Sequence, residues 1–207
     1  MPLFTFNKKI ILFIHIPKTG GSSIEKWLRN YTEISFFQPI VAPFMKVSPQ
    51  HLTIHDFFFL FQKKMCNRAF SIVRNPYDKL ESEFYFRTDK QFEINNFRVD
   101  FSTWLIHNLK LYKKNNFHND NHLRPQTDFL NEQVQIFKFE NGISNIAEKI
   151  KEWFEIENLV DFPHILKAKN KTEIVWSNEA IRMVNNIYKL DFETFEYPLK
   201  KIKLSQK

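Results

Sequence analysis

Residues Ile10 to Ile24 join an apolar strand, a loop of small and hydroxylated residues, and the start of a helix with nothing between them. Ile10-Ile11-Leu12-Phe13-Ile14 is unbroken and rich in isoleucine, the pattern of a strand buried on both faces. Pro17 ends the ladder because it has no N–H to donate. Lys18-Thr19-Gly20-Gly21-Ser22-Ser23 follows, and Ile24, Trp27 and Leu28 then fall at helical spacing. A strand that enters a helix through such a loop offers backbone N–H groups and a positive helix end to an anion. The chain holds only three glycines, and two of them are Gly20 and Gly21. Glycine goes where the backbone takes φ > 0 or admits a close neighbour. A tight turn without a ligand would use the same pair, but Lys18 and the hydroxyls of Thr19, Ser22 and Ser23 favour an anion site.

A second stretch repeats the design. Arg68–Val73 reads as a core strand, Arg74 stands at its end, and Asn75-Pro76 supplies an N-cap and a proline at the first helical position. Asp78 in the first turn suits the helix dipole. A guanidinium at a strand end meets a phosphate bidentately, and Ser82 follows within about two helical turns. An arginine near Asp78 and Glu81 would otherwise serve only as a surface ion pair.

Elsewhere strands and helices alternate. Helices are predicted over Ser22 to Tyr31, Ile54 to Lys64, Pro76 to Phe86, Ser102 to Tyr112, Ile143 to Phe154 and Asn178 to Leu190. Phe57 to Phe61 makes the second of these apolar nearly all round, so it is expected to be buried. Thr32 to Ser48 reads as a short strand and a loop, and Gln133 to Phe139 as a strand. Asp89 to Phe101, Lys113 to Asn121 and Phe162 to Lys171 read as loops. The pattern predicts an α/β fold: a P-loop-like, mostly parallel β-sheet flanked by α-helices, with its ligand at the carboxyl ends of the strands. At 207 residues the chain, 1–207, fits a single domain with a real core.

Charge and cysteine usage narrow the function classes. No run of about 18 apolar residues occurs, so no membrane span is expected, and Lys8-Lys9 before the first strand do not introduce a signal peptide. Cys66 is the only cysteine, which excludes an internal disulfide and fits a reducing, cytoplasmic setting. The seven histidines form no cluster at metal-ligand spacing, so no metal is expected. A net charge of +7 calls for an anionic ligand. Dispersed lysines and aromatics at core-like spacing disfavour nucleic acid as that partner.

The first loop is not a Walker A motif, in which the lysine comes after the glycines. His15-Ile16-Pro17-Lys18-Thr19-Gly20-Gly21-Ser22-Ser23 instead resembles the 5′-phosphosulfate loop of sulfotransferases that use 3′-phosphoadenosine 5′-phosphosulfate (PAPS), in its carbohydrate-modifying, family 2-like form. Ile72-Val73-Arg74-Asn75-Pro76-Tyr77-Asp78-Lys79-Leu80-Glu81-Ser82 resembles the 3′-phosphate motif of the same family, with the arginine and a serine eight residues later. His122-Leu123-Arg124-Pro125-Gln126 is similar to a segment near the acceptor cleft. Ile187 to Tyr197 is similar to the C-terminal signature, except that Glu196 stands where the signature carries glycine. Pro163-His164-Ile165-Leu166-Lys167-Ala168 departs further, having lost the asparagine and serine of the nucleotide-side loop.

The resemblance implies sulfuryl transfer from PAPS to a hydroxyl or amine of an acceptor, with a glycan as the leading class and PAP as product; an acidic glycan would suit the net charge. Such transfer runs through a loose in-line transition state, so the protein supplies positioning and electrostatics. Lys18 is assigned to the bridging oxygen. Thr19, Gly20, Gly21, Ser22 and Ser23 cradle the 5′-phosphate, Arg74 and Ser82 hold the 3′-phosphate, and Lys167 touches a phosphate. His51, in Gln50-His51-Leu52-Thr53, is the expected general base; a capping or packing role is its alternative. His55 and His122 stand behind it, and His15 is expected to be structural. Rival readings are a P-loop-like kinase, which would need a strand-end carboxylate for Mg²⁺, a basic nucleic-acid-binding module, and a nucleotide-binding relative without turnover.

Overall fold

The computed structural model describes residues 1–61, 65–95, 99–142, 144–156 and 173–202. They fall into two compact units. The first holds Met1–Arg74 and the described residues from Asp128 to Ile156; the second holds Asn75–Thr127 and residues 173–202.

The first unit is built on a five-stranded sheet of order β3-β1-β2-β4-β5. β1 (Leu3–Phe6) and β2 (Lys9–Ile14) form a hairpin through Asn7-Lys8, both in left-handed backbone at φ 47° and 63°. That is the turn whose twist matches the flanking strands. β3 (Glu33–Ser35) pairs antiparallel with β1. β4 (Arg68–Val73) lies parallel to β2, and β5 (Gln135–Lys138) parallel to β4. The sheet is therefore mixed, not mostly parallel: the hairpin and β3 add two antiparallel pairings to the two parallel ones. A two-residue connection can only join antiparallel neighbours, so the unanticipated β1 decides this.

Leu12, Phe13 and Ile14 are fully buried, as a two-faced central strand requires. Ile11, Phe13, Phe70 and Ile72 pack with Ile24, Trp27 and Leu28 of α1 (Gly21–Leu28) and Ile146, Ile150 and Phe154 of α5 (Ser144–Phe154). α2 (Ile54–Leu60) begins at a capping box, in which the Asp56 N–H donates to Thr53 Oγ1 (3.2 Å) and the Thr53 N–H to Asp56 Oδ2 (2.7 Å). It is shorter and less buried than its phenylalanines predict. Phe57 is 1% exposed, whereas Phe59 is 89% and Leu60 55% exposed.

The second unit packs α3 (Pro76–Asn95), α4 (Phe101–Lys114), α6 (Asn178–Ile187) and α7 (Lys189–Thr194) around Tyr77, Leu80, Phe84, Trp104, Leu105, Leu109, Val184 and Tyr188. Asn75 caps α3 as expected, its Oδ1 accepting from the Tyr77 N–H at 3.0 Å. The helix runs on past Phe86 to Asn95, through residues read from sequence as a loop. They are polar, but Lys, Gln and Glu are good helix formers and neither Gly nor Pro interrupts them.

α7 ends in a Schellman motif. The Tyr197 N–H reaches back to the Phe192 carbonyl at 3.0 Å, and Glu196 between helix and bond takes φ 54°. This is the position at which the resembled signature carries glycine, and its left-handed backbone gives that glycine its reason. Glu196→Gly is expected to stabilise the fold by about 0.5–1 kcal/mol, because relief of the left-handed penalty outweighs the added freedom of the unfolded chain. Chemical denaturation reads the change, and an unchanged or lower stability would contradict it.

Candidate functional site

The carboxyl ends of β2 and β4 lie side by side, with Ile14 paired to Ser71 and the Ser71 hydroxyl donating to the Ile14 carbonyl at 2.7 Å. The loops leaving them therefore start together. Arg74, immediately after β4, donates from Nη1 to the Lys18 carbonyl at 3.3 Å, and its guanidinium lies 4.6 Å from the centre of the Phe139 ring. Lys18 itself is partly exposed and holds φ 68°, a conformation that costs a non-glycine residue about 1 kcal/mol or more.

Gly20 and Gly21 have distinct local causes. Gly20 is the N-cap of α1 at φ 93°, and a Cβ there would come within 3.0 Å of the Phe139 ring. A Cβ on Gly21 would stand 2.6 Å from His15 Cδ2 and Nε2. Packing within the protein thus demands both glycines, without appeal to a ligand. Thr19 is buried and its hydroxyl donates to the Ile16 carbonyl at 2.9 Å. It shapes the loop, its one hydroxyl proton being committed to the main chain. No side chain caps α1, so its first-turn amides are suited to an anionic ligand. Ser22 is exposed and Ser23 partly so.

His51 ends a 3-10 turn, Pro49–His51, two residues before the α2 capping box, and is 6% exposed. Its Nδ1 lies 3.3 Å from Ser48 Oγ, and its ring meets His15 edge-on, centroids 5.3 Å apart. His15 in turn donates from Nδ1 to Glu25 Oε1, while Gln50 Nε2 donates to Glu25 Oε2 at 2.6 Å. Burial pushes the Glu25 carboxyl up, but the hydrogen bonds and charge of His15, with the Gln50 amide, hold it below the usual carboxylate range. Sequence reasoning missed Glu25 altogether. Its place beside Ile24 on the buried face of α1 was the available signal.

Lys18, Thr19, Gly20, Gly21, Ser22, Ser23, His51 and Arg74 all belong to the first unit; Ser82 is a half-buried residue of α3 in the second. Glu81 beside it accepts from Trp176 Nε1 at 2.7 Å. Lys167, with the altered segment Pro163 to Ala168, lies outside the described residues. His55 is exposed on α2.

In the second unit the two remaining resembled motifs meet. Asp191, from the C-terminal signature, accepts from the backbone N–H groups of Gln126 (2.8 Å) and Thr127 (2.9 Å). Burial raises the Asp191 carboxyl despite those bonds. The fully buried Lys79 donates to the His122 carbonyl at 2.6 Å, and desolvation pulls its ammonium down to about 8 against the opposing pull of Asp191 and Glu83. His122 donates from Nδ1 to Glu83 Oε2 at 2.6 Å.

Residues 1–198 match the profile of the family described as "Sulfotransferase family". The chain belongs to the sulfotransferase family. No curated protein and no solved structure matches it significantly. The profile covers both units, so the sulfotransferase match takes in each of the motifs above. Membership brings sulfuryl transfer as the class of chemistry and a hydroxyl-bearing acceptor as the class of partner. Among the described residues no helix is long and apolar enough to cross a membrane.

Proposed function

We propose that this sulfotransferase takes its sulfuryl group from PAPS and passes it to a hydroxyl, or an amine, of a glycan. The observation that carries the donor assignment is the contact of Arg74 with the Lys18 carbonyl. It puts a guanidinium and a lysine-led turn within one ligand's reach, at the ends of adjacent parallel strands. A guanidinium presents its N–H donors in a planar fork that matches a phosphate.

In this reading the amides at the start of α1 hold the 5′-phosphate and Arg74 holds the 3′-phosphate, with Ser82 and Lys167 assisting. Lys18 neutralises charge on the bridging oxygen as the S–O bond breaks, the acceptor oxygen attacks in line, and His51 takes its proton. The proton ends on His51, the sulfuryl group on the acceptor, and PAP leaves. No metal has a part in this scheme, and the lone cysteine supports a cytoplasmic setting.

Calorimetric titration with PAP, AMP and ATP tests the donor. PAP is expected to bind at least tenfold tighter than AMP, without Mg²⁺, and Arg74→Ala is expected to erase that preference. A charge-assisted contact of about 1.5–3 kcal/mol corresponds to roughly a tenfold to hundredfold affinity change. Equal binding of PAP and AMP, or Mg²⁺-dependent preference for ATP, would sink the assignment.

A further inference from the structure

Glu25 is 6% exposed and sits one turn inside the helix whose amino end receives the phosphate in the reading above. Taking a carboxylate out of water is costly unless both oxygens are hydrogen-bonded. A negative charge there also opposes an anionic ligand, so neither packing nor ligand attraction accounts for it. What the carboxylate does is join three segments distant in sequence. Oε1 receives His15, ten residues before it, and Oε2 receives Gln50, 25 residues after it.

Each arm reaches a different part of the site. The His15 ring lies under Gly21, where it leaves no room for a Cβ, and so sets the height of the loop at the start of α1. The Gln50 arm holds the 3-10 turn that carries His51, a turn also tied by the Gln50 N–H to the Gln38 carbonyl at 3.2 Å. His15 and His51 are themselves in edge-on contact, so the two arms close on each other.

We propose that Glu25 is a positioning residue, with His15 and Gln50 as its two arms, and that it fixes the spacing between the phosphate-binding turn and the imidazole of His51. Its kinetic consequence rests on the sulfuryl-transfer reading, in which His51 is the base; its geometric consequence does not.

The test has one arm for each. In protein labelled with ¹⁵N-histidine, Glu25→Gln is expected to shift the ring signals of both His15 and His51 while leaving the exposed His55 and His107 in place. Unmoved His51 signals overturn the proposal, whatever reaction the protein performs. In the kinetic arm, Glu25→Gln is expected to lower kcat about tenfold to a hundredfold, the range expected when a reacting group is misplaced by about an ångström. In a His51→Ala background the same change is expected to cost less than about twofold, because the group it positions is gone. Losses that multiply in the double variant show a merely structural role and overturn the proposal. Should Glu25→Gln fold poorly, Gln50→Met cuts only the arm to the His51 turn. It is expected to lower kcat and to move the His51 signals further than those of His15, which feel only the change in the ring beside them; unmoved His51 signals again overturn the proposal. A protein that shows no transfer at all, yet shows the His51 shift, sinks the donor and acceptor assignment and leaves the positioning role standing.

Discussion

Lys18→Ala is expected to lower kcat for sulfuryl transfer by about 10²–10³-fold while weakening PAP binding less than about tenfold. A preorganised charge aimed at a leaving oxygen acts chiefly where negative charge develops, and losing one such group has costs of this order. Lys18 is held at φ 68°, a strained backbone for a residue with a side chain. A turn that needed only to reverse direction would be more stable with glycine there. Lys18→Gly is therefore expected to lose transfer as fully as Lys18→Ala while gaining stability over it. Single-turnover assays and denaturation curves on the two variants separate these effects. A kcat within about threefold of the parent for either variant would remove Lys18 from the chemistry.

Gly21→Ala is expected to cost about 1–3 kcal/mol of stability, the usual range for overpacking a filled interior, and to weaken PAP binding with it. The added methyl would meet the His15 ring at 2.6 Å. His15 has little freedom to retreat, since its Nδ1 is tied to Glu25 and its face lies against Phe13 at 5.5 Å between centroids. The backbone of the turn must move instead, carrying the first-turn amides of α1 with it. Gly142 is the comparison, because a Cβ there would meet nothing within 4 Å and alanine would pay only for φ 78°. Urea denaturation and PAP titration of Gly21→Ala measure both effects, and a neutral result would refute the wedge beneath the loop.

The parts of this protein written in local sequence were the parts that could be read. The unbroken apolar run of β2, the Asn75-Pro76 cap of α3, and the spacing of Ile146 and Ile150 on α5 each express a rule that acts within one turn or one strand. What escaped depends on partners far along the chain. The β1–β2 hairpin turns on Asn7-Lys8 without glycine, so nothing local announced it, and the mixed character of the sheet went with it. Phe58 and Phe59 belong to one phenylalanine run, yet α2 turns Phe59 to solvent, a choice made by what packs beside the helix. Nothing in the local sequence marks Glu25, Lys79 and Glu83 as buried, because their partners His15, His122 and Gln50 come from other segments. The two motif loops could be read from the sequence as separate strand-to-helix turns; the Arg74–Lys18 contact between them could not.

The Phe139 ring lies against Gly20 on one side and under the Arg74 guanidinium on another. A single aromatic ring is thus shared by the two loops that the proposed donor would span. A change in its bulk is therefore expected to disturb both loops at once and, on the proposed reading, to alter the hold on both halves of the donor together.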